Sequence, residues 1–508
     1  MKTMRVTPSL ATLMLLSGTV TWAQDAAPGA AAQAVSVSTR VTVNETVTDN
    51  VALSGSSAKS DQITEISPGI RVNVNGARLK TYFDYALTHV NYAQGTSASR
   101  NQNALNTFGT FEAVDNWAFL DFSGRISQQT ISAFGTQSTN NTAINANRTE
   151  VENYKLSPYI QGRLGDVANY EARISRSVSS SDNATVSNNA TTNSVVKVSN
   201  ASTYRSLGWT ADLSRQQVSY SAGRTTEADT YSLGLTYEVT PQVKLSASAG
   251  QESNNYTSLD KHNYSTHSVG VNWFPSERTS LSALTGKRSF GNTHNVSFEH
   301  RSARTVWRFS DSKDVSTNPN QNGVGTVGNL YDLFYSQLEG SGLSPTERAQ
   351  RVNALLQLYG LSANTPVVGG FLTSAISVQR SQKLSLALLG IRDTVTFLLS
   401  RTENSRLDTI TSVLDNLSNG AAVVQNGFSI NYSHRLTPDY SLAMSLSRQN
   451  SSGTTTAEET TLRSFHINLS GKVGRRTAAS LGLRRVVSDN ATNPYTENAV
   501  TGNLNVQF

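Results

Sequence analysis

Cysteine is absent from this 508-residue chain, which excludes disulfide scaffolds and thiolate metal sites. Charge is scarce: 15% of residues are charged, against about 25% in an ordinary globular chain. Hydrophobic residues make up only 37%, below the usual share of about 45–50%. No run of about 20 apolar residues occurs beyond a short N-terminal stretch, so a membrane-spanning helix is excluded. Disorder is disfavoured by the 8% aromatic content and the low charge. The net charge of +6 and pI near 9.3 carry no basic run longer than a pair such as Arg475-Arg476 or Arg484-Arg485. Scattered charge of this kind excludes a nucleic-acid footprint.

Catalytic motifs are missing as well. The seven histidines include no i, i+4 helical pair with an intervening Glu, and neither Gly-x-Ser-x-Gly nor a phosphate loop is present. His262 and His267 flank a polar loop without completing a ligand set. The chain is therefore expected to be no enzyme, with no catalytic residue, metal site or cofactor.

What is present begins with a leader. Lys2 and Arg5 precede an apolar stretch from Leu10 to Val20, and Thr21-Trp22-Ala23 offers small residues for cleavage before Gln24. The organisation read from the sequence is a signal peptide over 1–23, a periplasmic linker over 24–34, and a single β-barrel over 35–508. A TonB-dependent receptor is disfavoured, because so short a linker is expected to leave no room for a plug domain.

The body alternates with period 2. Leu79, Phe83, Tyr85 and Leu87 oppose Lys80, Tyr82 and Asp84; Leu233, Leu235, Tyr237 and Val239 oppose Gly234, Thr236 and Glu238; Tyr440, Leu442, Met444 and Leu446 oppose Ser441 and Ser445. Short turns such as Asn75-Gly76, Gly165-Asp166 and Thr240-Pro241-Gln242 come between long polar stretches near 128–149, 179–202, 252–262, 402–422 and 449–460. Trp209, Tyr237, Trp273, Trp307 and Tyr440 sit in the apolar register near strand ends, where interfacial girdles lie. The final residues place Gly502, Leu504, Val506 and Phe508 on one face, and this pattern resembles the closing, assembly-signal strand of bacterial outer-membrane barrels. The fold class that follows is all-β: a transmembrane antiparallel up-and-down barrel of about 22 strands, in the outer membrane of a Gram-negative bacterium.

One segment departs from the alternation. Ser344-Pro345-Thr346-Glu347 forms a capping box, followed by Val352, Leu355, Leu356 and Tyr359 at helical spacing and by Gly360 as a stop. A helical insert is expected over 327–360 in a long external loop, as a loop or as a lid. In the polar register, Arg71, Lys80, Arg125, Arg163, Arg173, Lys244, Arg308 and Arg484 are expected to face the lumen. They read either as ion-pair partners that stiffen the wall or as a basic excess that draws anions.

Glu45-Thr46-Val47-Thr48-Asp49-Asn50-Val51, Pro68-Gly69-Ile70, Gly76, Asp84-Tyr85, Tyr92 and Ser157-Pro158-Tyr159 resemble the PEP-CTERM system-associated outer-membrane barrel family. Pro345, Arg348, Gly390 and Arg392 continue the resemblance, while Val47 stands where an aromatic is expected. The resemblance implies export or surface attachment of exopolysaccharide in an exosortase system, with no catalytic residues. Expected partners are outer-membrane lipid, the barrel assembly machinery, and an acidic polysaccharide or its export proteins. A general porin for small solutes and a structural surface adhesin are the rival readings.

Overall fold

The computed structural model describes residues 35–183, 186–200, 206–316, 352, 370–373, 376–408, 410, 415–417, 422–455 and 458–508. The signal peptide, the linker and, apart from Val352, the helical insert lie outside the described residues.

The chain forms a closed barrel of 22 antiparallel strands. In order these are β1 (Val35–Thr48), β2 (Asp61–Asn75), β3 (Leu79–Tyr92), β4 (Arg100–Val114), β5 (Ala118–Thr130), β6 (Arg148–Leu164) and β7 (Ala168–Ser181). Next come β8 (Asn189–Asn200), β9 (Leu207–Tyr220), β10 (Thr226–Thr240), β11 (Val243–Asn254), β12 (His262–Ser276), β13 (Thr279–Arg288), β14 (Gly291–Arg301) and β15 (Thr305–Ser316). The set ends with β16 (Ser377–Leu389), β17 (Asp393–Arg406), β18 (Ala422–Arg435), β19 (Tyr440–Ser452), β20 (Glu459–Gly474), β21 (Thr477–Asn490) and β22 (Tyr495–Gln507). Each strand pairs with its sequence neighbour, and β1 pairs with β22 from Arg40↔Gln507 to Thr48↔Ala499, closing the ring. Closure matters because hydrocarbon offers no partner to an exposed sheet edge.

The two registers divide sharply. Leu233, Leu235, Val269, Leu481 and Leu483 are among the most exposed large apolar side chains, and they share the outward face. Their neighbours along each strand are Ser, Thr, Asn, Gly and paired charges. A lipid-facing wall around a polar lumen has this composition. Tyr237, Trp273, Trp307 and Tyr440 are exposed on the apolar face near the short turns, at the height of an interfacial girdle.

Both termini of the barrel lie at the end with the short connections, 76–78, 115–117, 165–167, 241–242, 277–278 and 475–476. Asn116 and Gly165 take positive φ in two of them, at 55° and 56°, which the tight reversal demands and which Asn and Gly tolerate best. The opposite end carries the long connections, 49–60, 131–147, 317–376 and 407–421. By the short-turn, long-loop asymmetry of outer-membrane barrels, that end is extracellular.

The strands run from 10 residues in β13 to 17 in β6, so most exceed the about 9–11 residues needed to cross the membrane. One sequence expectation needs correction. The polar stretch 179–202 is no loop: it contains the end of β7 and all of β8, leaving only 182–188 as the connection. Asn189, Thr191, Asn193 and Ser199 occupy the inward register of β8, while Val196 and Val198 share the outward one with Thr192 and Ser194. A strand with one polar face and short side chains looks like a loop by composition alone.

Candidate functional site

A barrel of this strand number encloses a lumen that is either filled or conductive. What stands at its mouth and along its wall therefore decides what it does. The connection 131–147 does not project outward. It packs on inward-facing side chains at the tops of strands on several sides of the ring. Ala143 lies with Leu462, Val486 and Tyr495, together with Leu53. Ile144 packs on Ile63, Val90 and Tyr92. Ala133 and Phe134 join Val423, Phe371 and Leu417, and Ile131 joins Val151, Val186 and Leu372.

Hydrogen bonds fix this loop across the mouth. The Ala133 amide donates to Asn416 Oδ1 at 2.9 Å, and Asn416 Nδ2 donates to Ser132 Oγ at 3.0 Å. Toward β20–β22, Asn490 Nδ2 reaches the Phe134 carbonyl at 2.6 Å and the Tyr495 hydroxyl donates to the Gln137 carbonyl at 2.5 Å. Toward β3 and β4, the Tyr92 hydroxyl donates to the Thr142 carbonyl at 2.7 Å and Arg100 Nη2 to the Asn141 carbonyl at 3.0 Å. Within the loop, Asn147 and Gln137 donate to the Ser132 carbonyl, and Asn140 Oδ1 accepts from the Thr142 and Ala143 amides. A loop without a ladder must satisfy its backbone locally, and Asn does this best because its side chain mimics a peptide group. β5 and β6 stand half a ring from β16 and β17, so the loop bridges the opening rather than lining one side.

The lumen wall carries the eight basic residues read from the sequence, all in the register opposite the exposed apolar side chains. Five are engaged by carboxylates. Arg71 donates to Asp84 at 2.7 and 2.9 Å, and Asp84 also accepts from Arg40 at 2.5 Å and the Tyr82 hydroxyl at 3.0 Å. Arg173 pairs with Asp121 and Glu171, and stacks 3.7 Å from the Tyr159 ring centroid. Lys244 pairs with Glu238 at 3.1 Å, Arg308 with Glu299 at 2.9 Å, and Arg484 with Glu497 at 2.7 Å. Arg125 also has an interaction partner.

Lys80 and Arg163 differ. They are exposed, form no ion pair among the described residues, and sit at the periplasmic ends of β3 and β6. Arg435 and Lys472, also exposed and in the inward register, stand at the same level at the ends of β18 and β20. Sequence reasoning missed these last two, although Arg435 shares the parity of buried Ser433 and Lys472 that of buried Ser470. These four cations lie around the periplasmic opening.

Several residues of the resembling motifs act at the closure and the mouth. Asp49 accepts from the Asn498 amide and Nδ2, both at 2.7 Å, and Asn50 Nδ2 donates to the Thr496 carbonyl at 3.0 Å. These bonds hold the tops of β1 and β22 together. Of the residues expected to signal assembly, Gly502, Leu504 and Val506 lie in the outward register of β22, and the Phe508 amide donates to the Thr39 carbonyl at 2.9 Å.

No protein-family model matches the chain, and no curated protein matches it. Among solved structures it is similar to the FrpB iron transporter from Neisseria meningitidis, F5-1 variant in the apoprotein form. That match has a TM-score of 0.51 and 10% identity, over 93% of this chain and 81% of that one. A mutant of the ferric enterobactin receptor PfeA from Pseudomonas aeruginosa gives 0.49 at 9% identity, over 93% and 80%. At 10% identity the likeness to FrpB is a likeness of fold alone, a closed antiparallel barrel.

Proposed function

We propose that this barrel is an outer-membrane conduit for an acidic polysaccharide moving outward, in a PEP-CTERM and exosortase setting, with 131–147 controlling the extracellular opening. The observation that carries the reading is the set of cations without an ion pair among the described residues, Lys80, Arg163, Arg435 and Lys472, at the periplasmic opening. Farther along the wall, Glu171, Glu238 and Glu299 are already taken up by Arg173, Lys244 and Arg308. Cations on a low-dielectric wall raise the local concentration of anions, and the attraction weakens with salt. The substrate class rests on the family resemblance, and the polar Ser/Thr/Asn lumen suits a hydroxyl-rich chain.

The test is ion selectivity in planar bilayers. The purified pore is expected to prefer anions at low ionic strength, to lose that preference at high salt, and to be blocked by a carboxylated oligosaccharide but not by its neutral counterpart. Replacing the four cations with Gln should abolish both effects. A cation-selective channel indifferent to acidic oligosaccharides would overturn the reading and favour a general porin.

A further inference from the structure

The outward face holds a feature that passage through the lumen does not require. Just above the apolar band, on the extracellular side, Arg401 of β17, Arg448 of β19, Arg463 of β20 and Arg485 of β21 all point outward and are exposed. The strand register steps them across the sheet: Arg401 lies opposite Asn426, Arg448 lies between Phe428 and Arg463, and Arg485 lies opposite Phe465. Directly below them on the same face are Leu399, Phe428, Leu446, Phe465 and Leu483. Arg401 and Arg448 form no ion pair among the described residues, and Arg485 donates to Asn498 at 3.1 Å. Only Arg463 has a carboxylate, Asp489 at 2.9 Å, and that pair is exposed. Glu403 and Asp489 stand higher on the same face.

Around β9 and β10, on the far wall, outward cations are paired instead. There Arg215 meets Glu227 and Asp229, and Lys261 bridges the same two carboxylates at 2.6 and 2.8 Å. Between Arg401 and Arg448 the surface is also indented: Phe309, Leu384, Leu399 and Phe428 form an apolar groove, with Arg401 and Arg448 at its edge.

Four guanidinium groups held at the edge of the hydrocarbon, above exposed aromatic and aliphatic side chains, repel one another unless anions stand among them. Guanidinium matches phosphate bidentately. The membrane itself supplies a ligand with phosphates at this depth and acyl chains below. We propose that β17–β21 form a binding site for a phosphorylated lipid of the outer leaflet, with its phosphates on Arg401, Arg448, Arg463 and Arg485 and an acyl chain in the groove beside Phe428.

The test uses full-length protein in detergent. Native mass spectrometry measures retention of bis-phosphorylated lipid A, the same lipid enzymatically dephosphorylated, and inorganic phosphate as a competitor. Each basic group near a lipid surface adds to the attraction, so the quadruple Gln variant is expected to hold lipid A at least about tenfold more weakly. Lys at the four positions should retain most of the binding, and Arg215→Gln on the far wall should leave it unchanged. Heat-modifiable gel mobility establishes that each variant is folded. Equal retention by wild type and the folded quadruple variant would overturn the proposal. So would indifference to the lipid phosphates, or displacement of the lipid by millimolar phosphate.

Discussion

Arg484 and Glu497 offer the sharpest energetic test. Arg484 Nη2 lies 2.7 Å from Glu497 Oε1, and the side chains are only 10% and 2% exposed. Glu497 also accepts from Thr48 Oγ1 at 3.0 Å and lies 3.5 Å from Asn140 Nδ2. It therefore joins β22, β1 and the mouth loop. Arg484→Leu keeps the apolar volume but leaves a buried carboxylate without its cation. Breaking a buried pair in this way costs about 3–5 kcal/mol, whereas replacing both partners with apolar groups is often close to neutral. The expected result is a large loss in Arg484→Leu and recovery of most of it in Arg484→Leu/Glu497→Leu. Urea titration of barrels folded into lipid vesicles, read by gel mobility and tryptophan fluorescence, measures all four corners of the cycle. If Arg484→Leu lies within about 1 kcal/mol of wild type, the pair does not hold this wall and the reasoning fails.

Leu481 lies mid-band on the lipid face, so Leu481→Arg should cost about 2–4 kcal/mol in the same titration, with Leu483→Arg costing less because it adjoins the arginine level; equal costs would contradict the depth assignment. Replacing 132–146 with a short Gly/Ser link should raise single-channel conductance, since the bridge across the mouth is gone. Removing Phe508 should lower the fraction of heat-modifiable barrel in the outer membrane while leaving synthesis unchanged, because the terminal aromatic is expected to be read during assembly.

The fold was legible because period-2 alternation survives even where composition is polar. Leu233, Leu235 and Tyr237 announce a lipid face whatever Gly234 and Thr236 do. Ion-pair partners were not legible: Arg484 and Glu497 lie on adjacent strands, and only the register of β21 against β22 brings them together. The mouth loop leaves a signal in the strands it packs on. Ile63, Val90, Tyr92, Val151, Val423, Leu462 and Val486 are apolar residues in the otherwise polar register, all near the extracellular strand ends, and all are buried. Apolar side chains facing a watery lumen at one height imply something packed against them. Which loop does so depends on contacts across the ring that no local pattern encodes.

Loop 131–147 controls the mouth only if it reaches the far side of the ring. Ser132 and Asn416 lie in different connections, with Oγ and Nδ2 3.0 Å apart, and the chain has no cysteine to confuse the result. In the Ser132→Cys/Asn416→Cys variant, a short thiol-specific cross-linker applied to outer-membrane vesicles should join the two positions in most folded molecules. The product would appear as a mobility shift on unfolding gels. Efficient cross-linking is the predicted result; two freely alkylated thiols in a folded barrel would contradict it.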